Sequence, residues 1–218
     1  MFERSTIRCA VFGAALVFCS AAHSTAQIQF SPSFGVYIPH GAPLIEQRAA
    51  SGEESLRKQA VGAPVFTGRA STSLSSLLAF EAALSYSPGL IAVHSTGGRV
   101  DDVSAGLVMA SARTIFRLTP ESATRFSIHA LSGVGVVTRI GSAWSDTPTN
   151  PAFALVLGAG AKAPLTNKGN GLAFRVDLED YLSWAQFDLE DGTRTKARPY
   201  HDLVWSIGLS IPVSGGPR

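Results

Sequence analysis

Polar and apolar residues alternate along much of this chain, and the stretch "GLAFRVDLEDYLSW" at residues 171–184 shows the pattern clearly. Successive side chains of a β-strand point to opposite faces, so this pattern predicts a strand with one apolar and one charged face. A soluble protein would bury the apolar face, whereas a membrane barrel would turn it toward lipid. The apolar positions are Leu172, Phe174, Val176 and Leu178, and the charged positions between them are Arg175, Asp177 and Glu179.

Eight segments of the chain alternate or run apolar at strand length. They are residues 28–38, 64–72, 77–87, 103–117, 124–138, 152–163, 171–184 and 201–213. None has a sustained helical period. The nearest is "SGEESLRKQA" at residues 51–60, where Ser51 could cap a two-turn helix inside a long loop.

The connections between these segments alternate in length. The short ones are Ser73–Ser76, Leu118–Ala123 and Pro164–Asn170, and the long ones are residues 39–63, 88–102, 139–151 and 185–200. The short connections are rich in Ser, Thr, Pro, Asn and Gly, as tight turns require. Short turns at one end and long loops at the other are typical of an up-and-down membrane barrel, and a Greek-key sandwich would not produce them so regularly.

The polar faces of the predicted strands are built mainly from small residues. Glycine, serine and alanine dominate them, with single charges in between, as in the segment 152–163 with Gly158, Gly160 and Lys162. A narrow barrel interior needs small residues so that a few long charged ones fit, whereas a wet sheet surface carries more Lys, Glu and Thr. The fold class is therefore predicted to be all-β, an eight-stranded antiparallel up-and-down transmembrane β-barrel with its charges inside.

Eight strands leave an interior about wide enough for side chains alone, so we expect a packed lumen and not an open channel. Buried charges must be paired, since an isolated one costs several kcal/mol. The predicted lumen charges are balanced, with four of each sign: Arg69, Glu81, Arg125, Lys162, Arg175, Asp177, Glu179 and Asp202.

Aromatic residues lie near both ends of the predicted strands, as expected for girdles at the two membrane interfaces. One set is Tyr37, Phe66, Tyr86, Phe153, Trp184 and Tyr200, and the other is Phe30, Phe116, Phe126 and Phe174.

The segment 103–117 fits the pattern least well. Arg113 and Arg117 share a parity with Leu107 and Met109, so no single register gives a clean face. A β-bulge that shifts the register is the predicted explanation.

The first 26 residues are predicted to be a secretory signal peptide, and residues 27–218 the barrel domain. Arg4 and Arg8 form a basic start, and the apolar run from Ala10 to Phe18 is too short to span a bilayer. A retained anchor helix is the disfavoured alternative. Cys19 does not make a lipoprotein signal, because the bulky Phe18 precedes it. Both cysteines would leave with the signal, so no disulfide or thiolate metal site is expected.

Composition supports a barrel. Charged residues make up 16% of the 218 residues, against about 25% in a typical soluble domain. No segment after the signal approaches the length of a membrane helix. Without the signal, 16 basic and 15 acidic residues remain, a balance that does not call for nucleic acid or an acidic partner.

Catalytic motifs are absent from the sequence, and no enzymatic activity or cofactor is expected. There is no G-x-S-x-G, H-E-x-x-H or Walker pattern, and "LGAGAKAP" lacks the ending of a phosphate loop. Asp177 and Glu179 are interpreted as ion-pair partners of Arg175, although their spacing could serve acid–base chemistry. His129 falls on the lumen face and is interpreted as structural. His94 and His201 lack spaced metal-binding partners.

Several of these segments resemble the OmpA-like outer-membrane β-barrel family. The resemblance covers residues 28–213 and rests on "FGVYIP", "FTGRAST", "LAFEAALSYSPG" and "FRVDLEDYL", and above all on R-x-D-x-E-x-Y in the seventh segment and H-D-L-x-x-S-x-G-L-S in the eighth. It implies salt-bridge networks inside the barrel, carried by Arg69, Glu81, Arg125, Arg175 and Glu179. One departure is the end of the last segment, where Val213 is followed by five polar or turn residues in place of the family's terminal aromatic residue.

The sequence thus favours a monomeric barrel in the outer membrane of a Gram-negative-type bacterium, with a structural or surface-interaction role. Its expected partners are outer-membrane lipid, lipopolysaccharide and the barrel-assembly machinery. Residues 39–63 form the longest loop and the predicted contact surface. Two alternatives stay open: transport of small hydrophobic molecules through the barrel wall, and a soluble lipocalin-like barrel with an apolar, lipid-binding interior.

Overall fold

The computed structural model describes residues 28–40, 45–48, 55–95, 98–119, 126–144, 151–165, 172–185 and 197–213. The predicted signal peptide, the cap at Ser51 and the predicted lumen charge Arg125 lie outside these residues. The described strands are β1 Ile28–His40, β2 Ile45–Arg48, β3 Ser55–Ala60, β4 Ala63–Ser73, β5 Leu78–Ser95, β6 Gly98–Arg117, β7 Ser127–Ile140, β8 Ala152–Pro164, β9 Ala173–Ala185 and β10 Arg198–Pro212.

Eight of these strands form a closed antiparallel barrel in the order β1-β4-β5-β6-β7-β8-β9-β10. The ring closes between the first and last strands, whose pairing runs from Gln29 opposite Pro212 to His40 opposite His201. Closure satisfies the backbone of every barrel strand on both sides and removes the open edges of the sheet. The predicted eight-stranded up-and-down barrel is confirmed.

The barrel has two different ends. At one end, which we call the turn end, the strands are connected by residues 74–77, 118–126 and 165–172. The first and last described residues of the barrel also lie at this end. The opposite end, which we call the loop end, carries the connections 141–151 and 186–197 and the segment between β1 and β4.

Two sequence predictions at the loop end are wrong. The segment 88–102 is not a long loop, because β5 and β6 continue as a hairpin to Ser95 and Gly98. Residues 55–60 form strand β3 and not part of a helix. In both cases pairing with a neighbouring strand outweighs the local signals, since β3 pairs with β2 on one side and with the extended part of β5 on the other.

The outer wall of the barrel is apolar and its interior is polar along most strands. On β9 the outward side chains of Phe174 and Leu178 are 38% and 50% exposed, whereas the inward Arg175 and Glu179 are 1% and 0% exposed. This arrangement is the opposite of the one that a soluble lipocalin-like barrel requires. Among the described residues, no helix is long and apolar enough to cross a bilayer.

The aromatic residues form outward-facing rows at both ends, with two exceptions. All four predicted at the turn end are exposed, and at the loop end Phe66, Tyr86, Phe153 and Trp184 are exposed. Tyr37 and Tyr200, however, are buried in the lumen, so the prediction that they belong to a girdle is wrong. Tyr37 lies two positions from Gly35, and Tyr200 lies two positions from Asp202. Both of these neighbours face inward, so the strand period of two turns the tyrosines inward as well.

Strand β6 contains no bulge between Gly106 and Arg117, where its pairing with β7 is continuous. The expected register shift is therefore wrong. Leu107, Met109, Arg113 and Arg117 all point inward and are all buried. The segment looked irregular because the lumen itself is apolar near the loop end and charged further down.

Candidate functional site in the lumen

The middle of the lumen holds a cluster of three arginines and three carboxylates, which we call the ionic cluster: Arg69, Arg113, Arg175, Glu81, Asp177 and Glu179. They come from β4, β5, β6 and β9, so the cluster ties together strands from different sides of the ring. Each of the six is at most 1% exposed. Equal numbers of opposite charges leave the cluster neutral, which burial requires.

Arg113 joins two carboxylates on different strands. Its Nε and Nη2 atoms donate to Glu81 Oε1 at 2.9 and 2.8 Å, and its Nη1 atom donates to Glu179 Oε2 at 2.7 Å. A planar guanidinium suits this bridging, because its donors leave in fixed, divergent directions.

Arg69 approaches Glu179 from the other side. Its Nη2 and Nε atoms donate to Glu179 Oε1 at 2.6 and 3.2 Å, and Nη2 also donates to Ser206 Oγ at 2.9 Å. A further hydrogen bond runs from Nη1 to Ser33. Both oxygens of Glu179 are thus held by arginines.

Arg175 connects the third carboxylate, Asp177, to Glu81. Its Nε and Nη2 atoms donate to Asp177 Oδ2 and Oδ1 at 2.7 and 3.0 Å, and its Nη1 atom donates to Glu81. The R-x-D-x-E spacing on β9 places Arg175, Asp177 and Glu179 in one inward row, because the strand period is two.

A glycine on β8 makes room for His129 beside the ionic cluster. The His129 Nε2 atom lies 2.9 Å from Asp177 Oδ1. A Cβ atom at Gly160 would lie 2.6 Å from that Nε2 and 2.5 Å from that Oδ1. The small polar-face residues of the sequence therefore provide the volume that the long side chains occupy.

An apolar belt lies between the ionic cluster and the loop end. Along β10, Val204 separates Asp202 from Ser206, and along β6, Leu107 and Met109 lie above the ionic cluster. The belt consists of Val65, Leu107, Met109, Val137, Val156 and Val204, each at most 3% exposed. Apolar side chains therefore separate the ionic cluster from the polar residues at the loop end.

A second charged pair lies on the loop side of the apolar belt. Arg139 Nη2 donates to Asp202 Oδ2 at 2.9 Å, and the Tyr37 hydroxyl donates to Asp202 Oδ1 at 2.7 Å. The guanidinium carbon of Arg139 lies 5.5 Å from the ring centre of Trp144 and 5.8 Å from that of Tyr200, within the range of cation–π attraction.

Trp144 reaches this position through a tight turn after β7. Gly141 has a φ of 108°, a conformation that favours glycine, and its carbonyl accepts a hydrogen bond from the Trp144 amide at 3.2 Å. The chain then folds back as a short 3-10 turn, Ser142–Trp144, and Trp144 is buried over the lumen.

Polar contacts also occupy the turn end. Lys162 Nζ and Ser210 Oγ both donate to Gln29 Oε1 at 3.0 Å, which joins β8, β10 and β1. Arg117 donates to the carbonyl of Ser75 at 3.1 Å and to the hydroxyl of Ser73 at 2.8 Å, and so fastens the turn between β4 and β5.

The structure places seven of the eight predicted lumen charges inside the barrel. Five of them lie in the ionic cluster: Arg69, Glu81, Arg175, Asp177 and Glu179. Lys162 lies apart from them at the turn end, and Asp202 lies apart at the loop end.

Sequence reasoning missed Arg113 and Arg139. The position of Arg113 in the strand alternation could have indicated that it faces inward. The apolar residues Leu107 and Met109 on the same face made that face look unlike a polar lumen face. Arg139 sits where the long loop 139–151 was predicted to begin, although β7 continues to Ile140.

A small cavity lies in the wall near the loop end, where the pairing of β4 with β5 stops at Phe66 and Tyr86. Its volume is about 10 Å³, room for about one water molecule. Its lining includes inward residues such as Leu107 and Trp144 and outward ones such as Leu90 and Gly106. The described residues contain no group of three or more His, Cys, Asp or Glu side chains placed to hold a metal ion.

Two solved outer-membrane proteins share this fold. The crystal structure of the outer membrane protein OprG from Pseudomonas aeruginosa matches with a TM-score of 0.61 at 10% identity, covering 88% of this chain and 98% of OprG. The solid-state NMR structure of the outer membrane protein AlkL in DMPC lipid bilayers matches with a TM-score of 0.52 at 17% identity, covering 90% of this chain and 96% of AlkL. No protein-family model and no curated protein matches the chain. The chain has the fold of the eight-stranded outer-membrane β-barrels, which is the fold that its resemblance to the OmpA-like family implies.

Proposed function

We propose that the protein is an outer-membrane β-barrel of a Gram-negative-type envelope, with a structural or surface-interaction role and no enzymatic one. The single observation that carries the proposal is the inversion of the barrel, with large apolar side chains exposed around the wall and a neutral ionic cluster buried inside. In water, such a wall would be an apolar patch far beyond the few hundred Å² that soluble monomers expose.

The two ends give the barrel a direction. Membrane barrels of this kind have short turns in the periplasm and longer connections outside. The turn end would then face the periplasm, and the loop end, with β2, β3 and the β5–β6 hairpin, would face outward. Residues 39–63 remain the proposed contact surface for partners.

The filled lumen favours a structural role over a conducting one. The ionic cluster and the apolar belt both fill the cross-section with side chains buried to at least 97%. A lumen filled in this way supports a role that the protein performs through its wall and its outer loops.

Phe174→Asp together with Leu178→Asp tests the membrane assignment. Both side chains face outward on β9, Phe174 in the aromatic row at the turn end and Leu178 near the middle of the strand. A carboxylate on the lipid-facing wall is expected to cost up to a few kcal/mol, most of it at Leu178, because the cost is largest near the membrane midplane. We expect the variant to be lost from the membrane fraction of cells and to lose the heat-dependent gel shift of a folded barrel. The control is Leu118→Asp, which makes the same change at a 67% exposed residue in the β6–β7 connection.

Unchanged membrane recovery of the double variant, or recovery of the unaltered protein with soluble periplasm, would overturn the assignment. Protease treatment of intact cells adds the direction of the barrel, since residues 39–63 should be cut only if the loop end is outside.

The wall cavity supports a second candidate function, passage of small hydrophobic molecules through the wall. It joins inward and outward residues at the level where β4 and β5 separate, although it would have to widen to admit a ligand. Ala105→Phe would fill it, because Ala105 is a buried residue of its lining. If cells with this variant take up a hydrophobic compound as slowly as deletion cells, transport is supported. Uptake equal to that of the unaltered protein favours the structural role.

A further inference from the structure

A polar site lies on the loop-end half of the outer wall, formed by Asp180 on β9, His201 on β10 and His40 on β1. The inward or outward sense of each side chain follows from its neighbours: Glu179, Tyr181, Tyr200 and Asp202 are buried in the lumen, so Asp180 and His201 face outward. Among the side chains that the structure describes, Asp180 is the only carboxylate on the wall.

Asp180 holds His201 by a direct hydrogen bond. The His201 Nδ1 atom lies 2.8 Å from Asp180 Oδ2, and the two side chains are 42% and 29% exposed. The other carboxylate oxygen, Oδ1, is buried and has no hydrogen-bond partner in the described part of the chain. The imidazole is therefore the polar partner that compensates this carboxylate, and in its imidazolium form it neutralises the charge.

The hydrogen bond also fixes the direction of the ring. With Nδ1 engaged by the carboxylate, the Nε2 atom of His201 points away from Asp180, and its side chain is partly exposed. A charged imidazolium has an N–H on both nitrogens, so Nε2 would then present a donor to the surroundings of the wall.

A second histidine stands beside the first. His40 is directly opposite His201 in the β1–β10 pairing and is exposed. Side chains of directly opposite residues lie on the same face, with Cβ atoms about 5 Å apart. Two imidazoles and one carboxylate carry a net positive charge when both rings are protonated.

The position along the strands points to the lipid headgroups. Below the two histidines, Ile38, Leu203 and Trp205 continue the apolar wall, and on β9 the exposed Trp184 lies four positions from Asp180 toward the loop end. β1 ends at His40. His40 at the end of β1 and His201, the fourth residue of β10, lie at the outer edge of the apolar wall, toward the depth where phosphates of the outer leaflet lie, whereas Asp180, near the centre of β9, lies deeper in the wall and reaches His201 from below.

We propose that His201 and His40, with Asp180 orienting His201, bind a phosphate group of an outer-leaflet lipid. This rests on the proposed membrane location. Phosphate supplies acceptor oxygens for the N–H groups of the two imidazoles, and wherever a ring is protonated the opposite charges make the hydrogen bond stronger.

The test is lipid binding by the purified full-length barrel in detergent, followed by native mass spectrometry. The probes are lipid A carrying its phosphates, the same lipid A after phosphatase treatment, and inorganic phosphate. We expect preferential binding of the phosphorylated lipid and weak binding of inorganic phosphate, which lacks acyl chains to contact the wall. His40→Gln with His201→Gln should weaken phosphorylated-lipid binding at least about tenfold, because tenfold is the equivalent of one lost charge-assisted hydrogen bond and the two histidines supply two. Asp180→Asn should weaken it less.

The control variant is Thr138→Ala, which alters an outward polar residue near the loop end of β7, away from β1 and β10. The heat-dependent gel shift verifies the fold of every variant. Equal binding of phosphorylated and dephosphorylated lipid by the unaltered barrel, a comparison that needs no variant, would overturn the proposal. So would histidine variants that bind like the control. Neither outcome touches the membrane assignment, which the fractionation of Phe174→Asp with Leu178→Asp tests separately.

Discussion

The ionic cluster and the apolar belt fill the same lumen a few residues apart, and they stabilise it in different ways. In the ionic cluster each arginine contacts at least one carboxylate on another strand, so a contact depends on a specific partner. In the apolar belt, side chains such as Met109 and Val156 fill volume against many neighbours and need no particular partner. The comparison teaches that the belt should tolerate exchange of similar volumes, whereas the ionic cluster should not tolerate loss of any single charge.

Arg113→Met should have the largest effect. It preserves much of the side-chain length but removes the guanidinium that joins Glu81 to Glu179. Glu81 keeps Arg175 and Glu179 keeps Arg69, so the buried cluster is left with one uncompensated negative charge. Removing one partner of a buried ion pair costs about 3–5 kcal/mol, because the remaining charge is uncompensated. The measurement is the free energy of unfolding by urea in lipid vesicles. Arg198→Met, at an exposed position at the start of β10, is the control and should change it little.

Met109→Ala should have an effect of similar or smaller size in the apolar belt, about 2–5 kcal/mol, because it opens a cavity at a fully buried position. Met109→Leu should cost less than about 1.5 kcal/mol, since the volume is kept. A large loss in the Leu variant would contradict the view that the belt is held by volume alone. The same urea titration applies to both variants.

Gly160→Ala should have the smallest of the three effects, about 1–3 kcal/mol, because the added methyl crowds the ionic cluster. Its Cβ would lie 2.5 Å from Asp177 Oδ1 and 2.5 Å from the Val176 carbonyl oxygen. Gly68→Ala is the matched control, since a Cβ there meets only ring atoms of Phe30, the nearest at 3.8 Å. An equal loss in both variants would show that the small inward residues do not serve to accommodate the ionic cluster.

Much of the fold followed from local pattern. The alternation of residues 171–184 predicted strand β9 and its inward residues correctly. The short predicted turn at residues 73–76 correctly marked the place where β4 is followed by β5. The sequence failed where a neighbouring strand decided the outcome. Pro88 and Gly89 resembled a loop start, yet β5 continues through them because β6 and β3 supply pairing partners.

The ionic cluster was predictable as a set of inward charges but not as a set of contacts. The alternation along each strand assigned the following residues to the inward face: Arg69, Glu81, Arg175, Asp177 and Glu179. It could not show that Arg69 reaches Glu179 across 110 residues of chain, or that Lys162 stays with Gln29. Tyr37 and Tyr200 were assigned to the girdle because they lie near strand ends, although their parity matches that of inward residues.

The sequence by itself determined which face of each strand is polar, because the strand period of two sorts side chains without reference to any other strand. The closed ring decided which charges meet, since shear and register between strands place residues distant in sequence at one height in the lumen. It also decided that two histidines and an aspartate from three strands share one spot on the outer wall. Pairing across strands is a property of the assembled barrel, and no single segment encodes it.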